Sequence, residues 1–334
     1  MQTQHCELAP LQIQGRKSIL VGARQLGFSS AAQQTRFRFW QAASDYTPEK
    51  INDYYFSPSL TGVVNFHLHH GEQQGLWIWG LHGTGKTSLV EQVAAYTNTE
   101  VFHLNGTLTT ESADLVGSYR LVGGEGGTSM VFVEGPLVKA MRQGGILLVN
   151  EVDIIDPGEL AVLHDVLEGK PVDLPSGERV RPEVTFRIVC TANTCGRGDR
   201  SGHYPGTLMM NKAFMDRFLV VQAEYLPAEV EEDLLAKSYP TLAPMLPRMV
   251  GLANRLRDRF AGEAGDGTGE LQTTLSTRTL MYWAKVSTLA MASGSIAKPL
   301  WFGLELAVLN RASAEDREAI SRFFEAMFHD ESAH

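Results

Sequence analysis

Residues 80–88 read Gly-Leu-His-Gly-Thr-Gly-Lys-Thr-Ser, and this stretch decides the fold. It satisfies the phosphate-binding pattern G-x-x-x-x-G-K-S/T at every fixed position. Glycines let the backbone turn closely around a phosphate, so that several N–H groups point inward. We expect Lys86 to contact the β- and γ-phosphates of a nucleotide and Thr87 to give its hydroxyl to Mg²⁺. The predicted nucleotide-binding residues of this loop are Gly80, His82, Gly83, Thr84, Gly85, Lys86, Thr87 and Ser88.

Both flanks of the loop fit this prediction. Residues 76–79, Leu-Trp-Ile-Trp, form a short apolar run that is typical of a buried strand. After the loop, apolar residues recur at helical spacing, at Leu89, Val90, Val93 and Ala94. A strand, a glycine-rich loop and a helix are the arrangement that the motif requires, so a chance turn is the weaker interpretation.

The composition excludes several classes of protein. With 334 residues, of which 43% are hydrophobic and 20% charged, the chain has the composition of a globular protein with room for two or three domains. Its formal net charge of −9 argues against a nucleic-acid groove over much of the surface. Its three cysteines make no disulfide framework, which fits a cytoplasmic protein. No apolar run is long enough to cross a bilayer, so we expect no membrane insertion.

Between about 60 and 226 the pattern alternates strands and helices, which favours an α/β domain with a parallel sheet covered on both faces. The predicted strands are 76–80, 100–104, 145–150, 185–192 and 218–223, and the predicted helices are 86–97, 134–143, 157–168 and 208–216. The helix at 157 has a clear expected start, with Asp156 as N-cap and Pro157 at the first helical position, and Gly169 follows its end.

From 227 onward the pattern predicts only helices. The predicted segments are 227–237, 242–261, 277–291, 298–310 and 313–328, and the Gly-rich stretch 262–270 is an expected exposed loop. We therefore expect an N-terminal segment at 1–55, an α/β nucleotide-binding domain at 56–226 and a helical domain at 227–334.

Two features before the glycine-rich loop allow more than one interpretation. Residues 36–40, Arg-Phe-Arg-Phe-Trp, combine basic and aromatic side chains, and we favour a packing segment over an adenine or partner contact. Three histidines, His67, His69 and His70, precede the first core strand. No carboxylate or cysteine partner has metal-ligand spacing, so we favour a solvated turn over a metal site.

A second part of the nucleotide site is expected where residues 146–151 read Ile-Leu-Leu-Val-Asn-Glu. The usual pattern of this kind ends in Asp-Glu, whereas this chain has Asn150 before Glu151. Asparagine keeps an acceptor oxygen but lacks the negative charge, and we predict Asn150 and Thr87 as the residues that hold Mg²⁺. Glu151 is the predicted general base that orients and deprotonates a water molecule.

The Asn150 substitution leaves two hypotheses open. In the first, hydrolysis proceeds while Asn150 still positions a water molecule; in the second, Mg²⁺ binding is weakened and turnover is slow. Because Lys86, Thr87 and Glu151 are all intact, we favour the first hypothesis.

Three further polar residues have candidate roles. Asn193 follows the apolar run 188–192, and because the tips of parallel strands line the ligand crevice, we predict that it reaches the γ-phosphate or the attacking water. Arg217 lies at a predicted helix-to-strand boundary, from which it could enter a neighbouring subunit's site; local pairing with Asp216 is the alternative. Arg278 opens a helix and could reach back over the triphosphate.

In this order, the motifs resemble the plan of the AAA+ ATPases. The loop, Asn150-Glu151, Asn193, Arg217 and Arg278 would be Walker A, Walker B, sensor 1, the arginine finger and sensor 2. More narrowly, the chain is similar to the MoxR-like group and, within it, to CobS, the ATPase subunit of aerobic cobaltochelatases. The similarity covers about 25–325 and is carried by residues 82–86, 91–95, 114–117, 191–207, 215–217, 225–227 and 278–279.

This resemblance implies a fold, cofactors and partners. The implied fold is a P-loop αβα sandwich with a parallel sheet, followed by a small all-helical lid domain. The implied catalytic residues are Lys86, Glu151, Asn193 and Arg217, with ATP and Mg²⁺ as cofactors. Two inserts, at about 112–134 and 170–186, would face the pore of a ring or the client. The implied partners are further copies of the chain, as a homo-oligomeric ring and by analogy a hexamer, and a von Willebrand factor A-domain protein.

Two residues depart from the family pattern: Asn150, and Thr277 where the family usually has proline. Our leading hypothesis is an ATP-hydrolysing ring motor that remodels or activates a partner protein. The alternatives are an authentic CobS subunit that drives cobalt insertion into a corrin ring, and a nucleotide-gated scaffold with negligible hydrolysis. A DNA-translocating ATPase is disfavoured by the acidic charge, and the sequence leaves the client open.

Overall fold

The computed structural model describes residues 10–28, 35–70, 74–124, 127–199, 204–261 and 270–329. These residues divide into two compact units. The first unit comprises the described residues up to Gly80, Lys86–Asp199 and Gly206–Ala223. The second comprises Leu81–Gly85, residues 204–205 and the described residues from Glu224 onward. Among the described residues, no helix has both the length and the apolar character needed to cross a membrane.

The first unit begins with three short strands and a helix: β1 (Gln12–Ile13), β2 (Arg16–Gly22), β3 (Arg36–Trp40) and α1 (Pro58–His70). Strands and helices then alternate, and they build a main sheet and two inserted hairpins: β4 (Gly75–Trp79), α2 (Lys86–Thr97), β5 (Val101–Asn105), α3 (Ser112–Val116), β6 (Gly117–Gly124), β7 (Gly127–Glu134), α4 (Pro136–Gln143), β8 (Ile146–Asn150), α5 (Val162–Leu167), β9 (Val172–Asp173), β10 (Arg179–Val180), β11 (Arg187–Ala192), α6 (Lys212–Met215) and β12 (Phe218–Gln222).

Five of these strands form one parallel sheet in the order β12-β4-β11-β8-β5. The three central strands, β4, β11 and β8, are largely apolar and almost wholly buried, because the middle of a parallel sheet is covered on both faces. Within β4, Leu76 and Ile78 pack into one core cluster, whereas Trp77 packs into the other. The predicted parallel sheet and its five strands are thereby confirmed.

Helices cover both faces of the sheet. On one face, Val64 of α1 and Val93 of α2 join the cluster of Leu76 and Ile78. On the other face, α4 and α5 pack against Trp77 through Leu137, Met141, Leu163 and Val166. The P-loop αβα sandwich predicted from the sequence is therefore the observed fold.

Two predicted helices are shorter than expected. Asp156 makes the contact of an N-cap, since its Oδ1 accepts a hydrogen bond from the Gly158 amide at 2.7 Å, but an α-helix does not begin at 157. The chain instead makes a 3₁₀ turn at Glu159–Ala161 before α5 begins. The helix predicted at 208–216 is reduced to α6, whose start is set by Asn211: its side chain accepts from the Ala213 amide at 2.9 Å.

The N-terminal strands form an antiparallel sheet in the order β1-β2-β3. In β3, Phe37 and Trp40 are buried. The ring of Phe37 stacks on Phe28 with centroids 4.4 Å apart, and both rings belong to the core cluster that includes α2. The packing interpretation of residues 36–40 is confirmed, because these aromatic side chains are part of the first unit's core.

The solvated turn predicted for the histidines is wrong. Helix α1 extends to His70, and the side chain of His67 is fully buried. Its Nε2 lies 3.1 Å from the carbonyl oxygen of Ile188 in β11, and the Arg187 Nε donates to the His67 carbonyl oxygen at 2.9 Å. Burial and the neighbouring Arg187 charge lower the pKa of His67 to about 3, so the ring is neutral.

Both predicted inserts are hairpins. Strands β6 and β7 pair in antiparallel register from Gly117 with Glu134 to Gly124 with Gly127, and α3 leads into them. Strands β9 and β10 form the second, shorter antiparallel pair. The longer hairpin carries apolar side chains to solvent, with Leu121 exposed by 75% and Met130 by 63%.

The second unit is helical beyond Leu81–Gly85. Its helices are α7 (Ala228–Ser238), α8 (Leu246–Ala261), α9 (Thr277–Ser293), α10 (Pro299–Ala307) and α11 (Ala314–Met327). They enclose a core that is centred on Trp283, with Leu256, Leu304 and Phe324 around it. The predicted helical C-terminal region is confirmed, whereas the predicted loop at 262–270 lies outside the described residues except for its last position.

Candidate nucleotide-binding site

The register of the parallel sheet brings several predicted site residues to one edge. Residue Ala192 of β11 pairs with Trp79 of β4, and Asn105 of β5 pairs with Asn150 of β8. All four strands run in the same direction, so their carboxyl ends meet at this edge. The glycine-rich loop leaves β4 here, which is the usual place for a ligand in an open parallel sheet.

Lys86 and Asn193 approach each other at this edge. Lys86 is the first residue of α2, and its Nζ donates to the Gly80 carbonyl oxygen at 2.7 Å. The same Nζ lies 3.5 Å from Oδ1 of Asn193, which directly follows β11. An ammonium group and an amide therefore face one position beside the loop, as expected for groups that bind phosphate oxygens.

Asn150 is held by hydrogen bonds from three directions. Its Oδ1 accepts from the hydroxyl of Thr87 at 2.8 Å and from the hydroxyl of Thr191 at 3.0 Å. Its Nδ2 donates to Oδ1 of Asn105 at 3.0 Å. These contacts fix the orientation of the amide, so its oxygen, rather than its nitrogen, is on the side of Thr87.

The sequence reasoning missed Asn105 and Thr191. Both are polar residues at or near the carboxyl ends of apolar strands, which is the signal that could have found them. Asn105 was missed because the strand observed as β5 was predicted to end one residue earlier, at 104. An amide at position 150 needs an acceptor for its Nδ2, and Asn105 supplies one.

Glu151 has an unusual backbone. Its φ of 52° and ψ of 42° lie in the left-handed region, which costs a non-glycine residue about 1–3 kcal/mol. The residue is exposed, and its carboxylate makes no hydrogen bond or ion pair with the described residues. A solvent-facing carboxylate held by a strained turn beside Asn150 is suited to act on a water molecule.

Asp153 links the turn after Glu151 to the loop of Asn193. Its fully buried Oδ2 accepts from the amides of Asn193 at 3.0 Å and Thr194 at 2.9 Å, and from the Thr194 hydroxyl at 2.9 Å. Burial raises the pKa of Asp153, and these hydrogen bonds oppose the rise. Sequence reasoning also missed this residue, whose signal is a lone acid between the apolar Val152 and Ile154.

The structure does not bring Arg217 into this group. Its guanidinium binds Glu168, with Nη2 at 2.5 Å from Oε1, and it also donates to the Ala213 carbonyl oxygen. Lys170 and Arg217 together lower the pKa of Glu168 to about 2, with Lys170 making the larger contribution. Arg217 pairs with Glu168 rather than with the Asp216 that the sequence suggested as its local partner.

The other predicted binding residues belong to the second unit or to the start of α2. In the loop Leu81–Gly85, the Thr84 hydroxyl donates to the Leu81 carbonyl oxygen at 2.9 Å, and His82 is exposed. Gly85 has a φ of 83°, and a Cβ there would meet nothing within 4 Å, so there is open space beside it. Ser88 is half-buried in α2, and Arg278 is exposed in the first turn of α9.

The oxygen atoms at this edge fit a magnesium ion that arrives with a nucleotide. Mg²⁺ prefers a few protein oxygens and takes its other ligands from phosphate and water. The Thr87 hydroxyl and the Asn150 carbonyl oxygen are 2.8 Å apart and belong to this class of ligand. Within the part of the chain that the structure describes, no cluster of three or more His, Cys, Asp or Glu residues could hold a metal by itself.

Comparison with known proteins gives matches over most of the chain. The family model described as "AAA domain (dynein-related subfamily)" matches residues 75–218. The aerobic cobaltochelatase subunit CobS of a Sinorhizobium species is 31% identical over 291 residues, which cover 85% of this chain and 83% of that protein. An uncharacterized protein of Staphylococcus haemolyticus is 31% identical over 159 residues, or 47% of this chain and 57% of that protein. Among solved structures, a RuvB mutant of Thermotoga maritima aligns with 85% of this chain and 81% of its own, with a TM-score of 0.49 and 12% identity.

Proposed function

Since this chain belongs to the MoxR-like AAA+ ATPases, close to CobS, we propose that it is an ATP-hydrolysing ring motor that remodels or activates a partner protein. The observation that carries this proposal is the meeting of Lys86 with Asn193, and of Thr87 with Asn150, at one edge of the parallel sheet. Glu151 directly follows Asn150 and is exposed beside this group.

Each of these residues has a part in the proposed reaction. Lys86 binds the β- and γ-phosphates by charge, and the oxygens of Thr87 and Asn150 hold Mg²⁺. Bound Mg²⁺ neutralises charge that develops on the transferred phosphoryl group. Glu151 orients and deprotonates the attacking water, and Asn193 positions that water or the γ-phosphate.

Arg217 completes the site of the neighbouring subunit in the proposed ring, which is a hexamer by analogy with the family. A guanidinium stabilises the charge that spreads over the transferred phosphoryl group. The position of Arg217 supports this role: it directly precedes β12, an edge strand of the main sheet, and 28% of its side chain is exposed. Arg278 contacts the triphosphate of its own subunit in this proposal.

The hairpin β6–β7 is the proposed contact with the partner protein. Leu121 and Met130 stand next to each other in its register and are exposed by 75% and 63%, which is a large apolar surface for a two-stranded hairpin. A von Willebrand factor A-domain protein is the proposed partner, by analogy with the MoxR-like group, and the cytoplasm is the proposed location.

Two alternatives to this motor remain: an authentic CobS subunit and a nucleotide-gated scaffold. The similarity to CobS over 85% of this chain favours an authentic cobaltochelatase subunit that drives cobalt insertion into a corrin ring. The departures at Asn150 and Thr277 favour a relative with another client. The missing charge at Asn150 favours a scaffold in which ATP binding alone orders the ring.

Steady-state hydrolysis and equilibrium ATP binding, measured with Mg²⁺ on the full chain, test the motor. Replacing Glu151 with Gln keeps the size of the side chain but removes the base, so we expect turnover to fall about 100-fold or more while ATP still binds. The matched control is Glu49→Gln, an exposed glutamate away from the site, which should hydrolyse ATP like the wild type. Wild-type turnover that Glu151→Gln does not reduce would contradict the proposed base, and absent wild-type turnover would leave the scaffold.

Mixing two inactive variants tests the role of Arg217 between subunits. Glu151→Gln retains the arginine, and Arg217→Ala retains the base, so a mixed ring contains some interfaces with both groups. We expect the mixture to recover part of the activity that neither variant has alone. A mixture that stays as inactive as its components, under conditions where the wild type forms rings, would show that Arg217 does not act across the interface.

A further inference from the structure

The interior of the second unit contains an ion pair that the proposed reaction does not use. Glu231 of α7 and Arg257 of α8 form two hydrogen bonds, Nη1 to Oε2 at 2.6 Å and Nη2 to Oε1 at 2.9 Å. The side chain of Arg257 is 5% exposed and that of Glu231 is 0% exposed. A buried ion pair is weak evidence for stability by itself, so the other bonds that these two residues make indicate what the pair does.

These further bonds hold the segment just before Arg278. The Nε of Arg257 donates to the Leu275 carbonyl oxygen at 2.8 Å, and the hydroxyl of Thr277 donates to Oε1 of Glu231 at 2.5 Å. The ion pair therefore binds both ends of residues 275–277. Because Arg278 is the next residue, its place at the start of α9 is set by this anchored segment.

The same arginine also supports the glycine-rich loop. Its guanidinium carbon lies 4.3 Å from the ring centroid of Tyr225, and the Tyr225 hydroxyl donates to the His82 carbonyl oxygen at 3.0 Å. Gly83 packs so closely on Ser276 that an added Cβ would lie 2.4 Å from the Ser276 Cβ. Loop and helix start are thus joined by direct packing and through Arg257.

We propose that Glu231 and Arg257 are positioning residues that hold the glycine-rich loop and the start of α9 together, through Tyr225 and Thr277. The loop and Arg278 then form one rigid element. This inference rests on the proposed function, because it assigns the element a part in ATP turnover. The positioned arginine meets the triphosphate with its orientation already set, which favours the transition state more than the bound ground state.

The bond from Thr277 to Glu231 depends on the threonine hydroxyl. Replacement of Thr277 by Val keeps the branched shape and removes only the hydroxyl, whereas Thr277→Ser keeps the hydroxyl. The two variants therefore separate the hydrogen bond from the packing of the side chain.

The test compares kcat, KM and ATP affinity of the full chain, with melting temperature as a check on folding. We expect Thr277→Val to lower kcat about tenfold with little change in KM, and Thr277→Ser to stay within about twofold of the wild type. Because Thr277 acts through Arg278, the double variant Thr277→Val with Arg278→Ala should be no slower than Arg278→Ala alone.

Three outcomes would overturn the inference: Thr277→Val turns over like the wild type, Thr277→Ser is as slow as Thr277→Val, or the double variant shows the product of the two single losses. Should Thr277→Val fold poorly, Tyr225→Phe is the second variant, since it keeps the ring and removes the hydroxyl that bonds to the His82 carbonyl. We expect it to weaken ATP binding about fivefold, and unchanged binding would contradict the loop half of the proposal. A wild type that neither binds nor hydrolyses ATP would refute the proposed function instead.

Discussion

His67 in the first unit and the ion pair Glu231–Arg257 in the second unit are two buried polar sites of different kinds. In the first unit, His67 is buried as a neutral ring whose Nε2 lies 3.1 Å from the Ile188 carbonyl oxygen. In the second unit, Glu231 and Arg257 are buried as an ion pair. Removing one partner of a buried ion pair leaves a buried charge without a counter-charge, which lowers the unfolding free energy strongly. Removing a neutral partner leaves at most an unpaired polar atom, which costs less.

The largest expected effect is at the ion pair. Arg257→Met leaves the Glu231 carboxylate buried without its partner, so we expect unfolding free energy to fall by about 3–5 kcal/mol in chemical denaturation. The matched control on the same helix is Arg259→Met, because Arg259 is 50% exposed and pairs with a Glu270 that is 78% exposed. We expect that control to change the stability by less than about 1 kcal/mol.

A second variant decides whether the charge or the packing is responsible. Replacing both partners, by Glu231→Leu with Arg257→Met, removes the unpaired charge and keeps apolar volume, so most of the lost stability should return. If the double variant is no more stable than Arg257→Met alone, the cost lies in packing, and the contrast between the two units is wrong.

The next effect is a dependence of stability on pH through His67. Its folded pKa is lowered to about 3 while its ordinary value is 6.5, so its contribution is complete above pH 6.5 and is lost as the pH falls toward 3. By pH 5 the loss amounts to about 2 kcal/mol. We expect His67→Gln to flatten this acid slope in unfolding free energy measured from pH 7 to pH 5.

The exposed His329 provides the matched control, since His329→Gln should keep the wild-type slope. An unchanged acid slope in His67→Gln would mean that the ring titrates as it does in solvent. That result would contradict the description of the first unit as one that buries this group in its neutral form.

The smallest effect is expected at Asn150. An aspartate there still accepts from Thr87 and Thr191, and Asn105 can rotate its amide so that its nitrogen faces the new carboxylate. We expect Asn150→Asp to change the unfolding free energy by less than about 1 kcal/mol and ATP turnover at low Mg²⁺ by less than about tenfold. A much larger gain in turnover would show that Mg²⁺ binding limits the wild type.

Local sequence patterns were enough to predict most of the fold. The five main strands are visible as apolar runs, and the glycine-rich loop has a pattern with four fixed positions, so the fold follows from local sequence. The N-terminal sheet was not predicted, because β2 has no apolar buried face: only Ser18 of its seven residues is buried. The aromatic side chains of this sheet are buried by packing against distant segments such as α2, which local sequence does not show.

The polar groups that join distant segments are the part that the sequence does not show. His67 and Ile188 are separated by 121 positions, and Glu231 and Arg257 by 26. Acids and bases on helices are usually solvated, so nothing in the local pattern marks these two as buried. Asn105, Asp153 and Thr191 could be sought as polar residues next to apolar strand ends, but their mutual contacts depend on the order of the strands.

The account depends most directly on a nucleotide held by Lys86 at the edge of the sheet. Equilibrium binding of ATP with Mg²⁺ to the wild type, to Lys86→Ala and to Lys285→Ala tests it, because Lys285 is an exposed lysine on α9. We predict that the wild type and Lys285→Ala retain ATP, whereas Lys86→Ala loses the charge that contacts the β- and γ-phosphates and retains none. A wild type that does not bind ATP, or a Lys86→Ala variant that binds it equally well, would contradict the account.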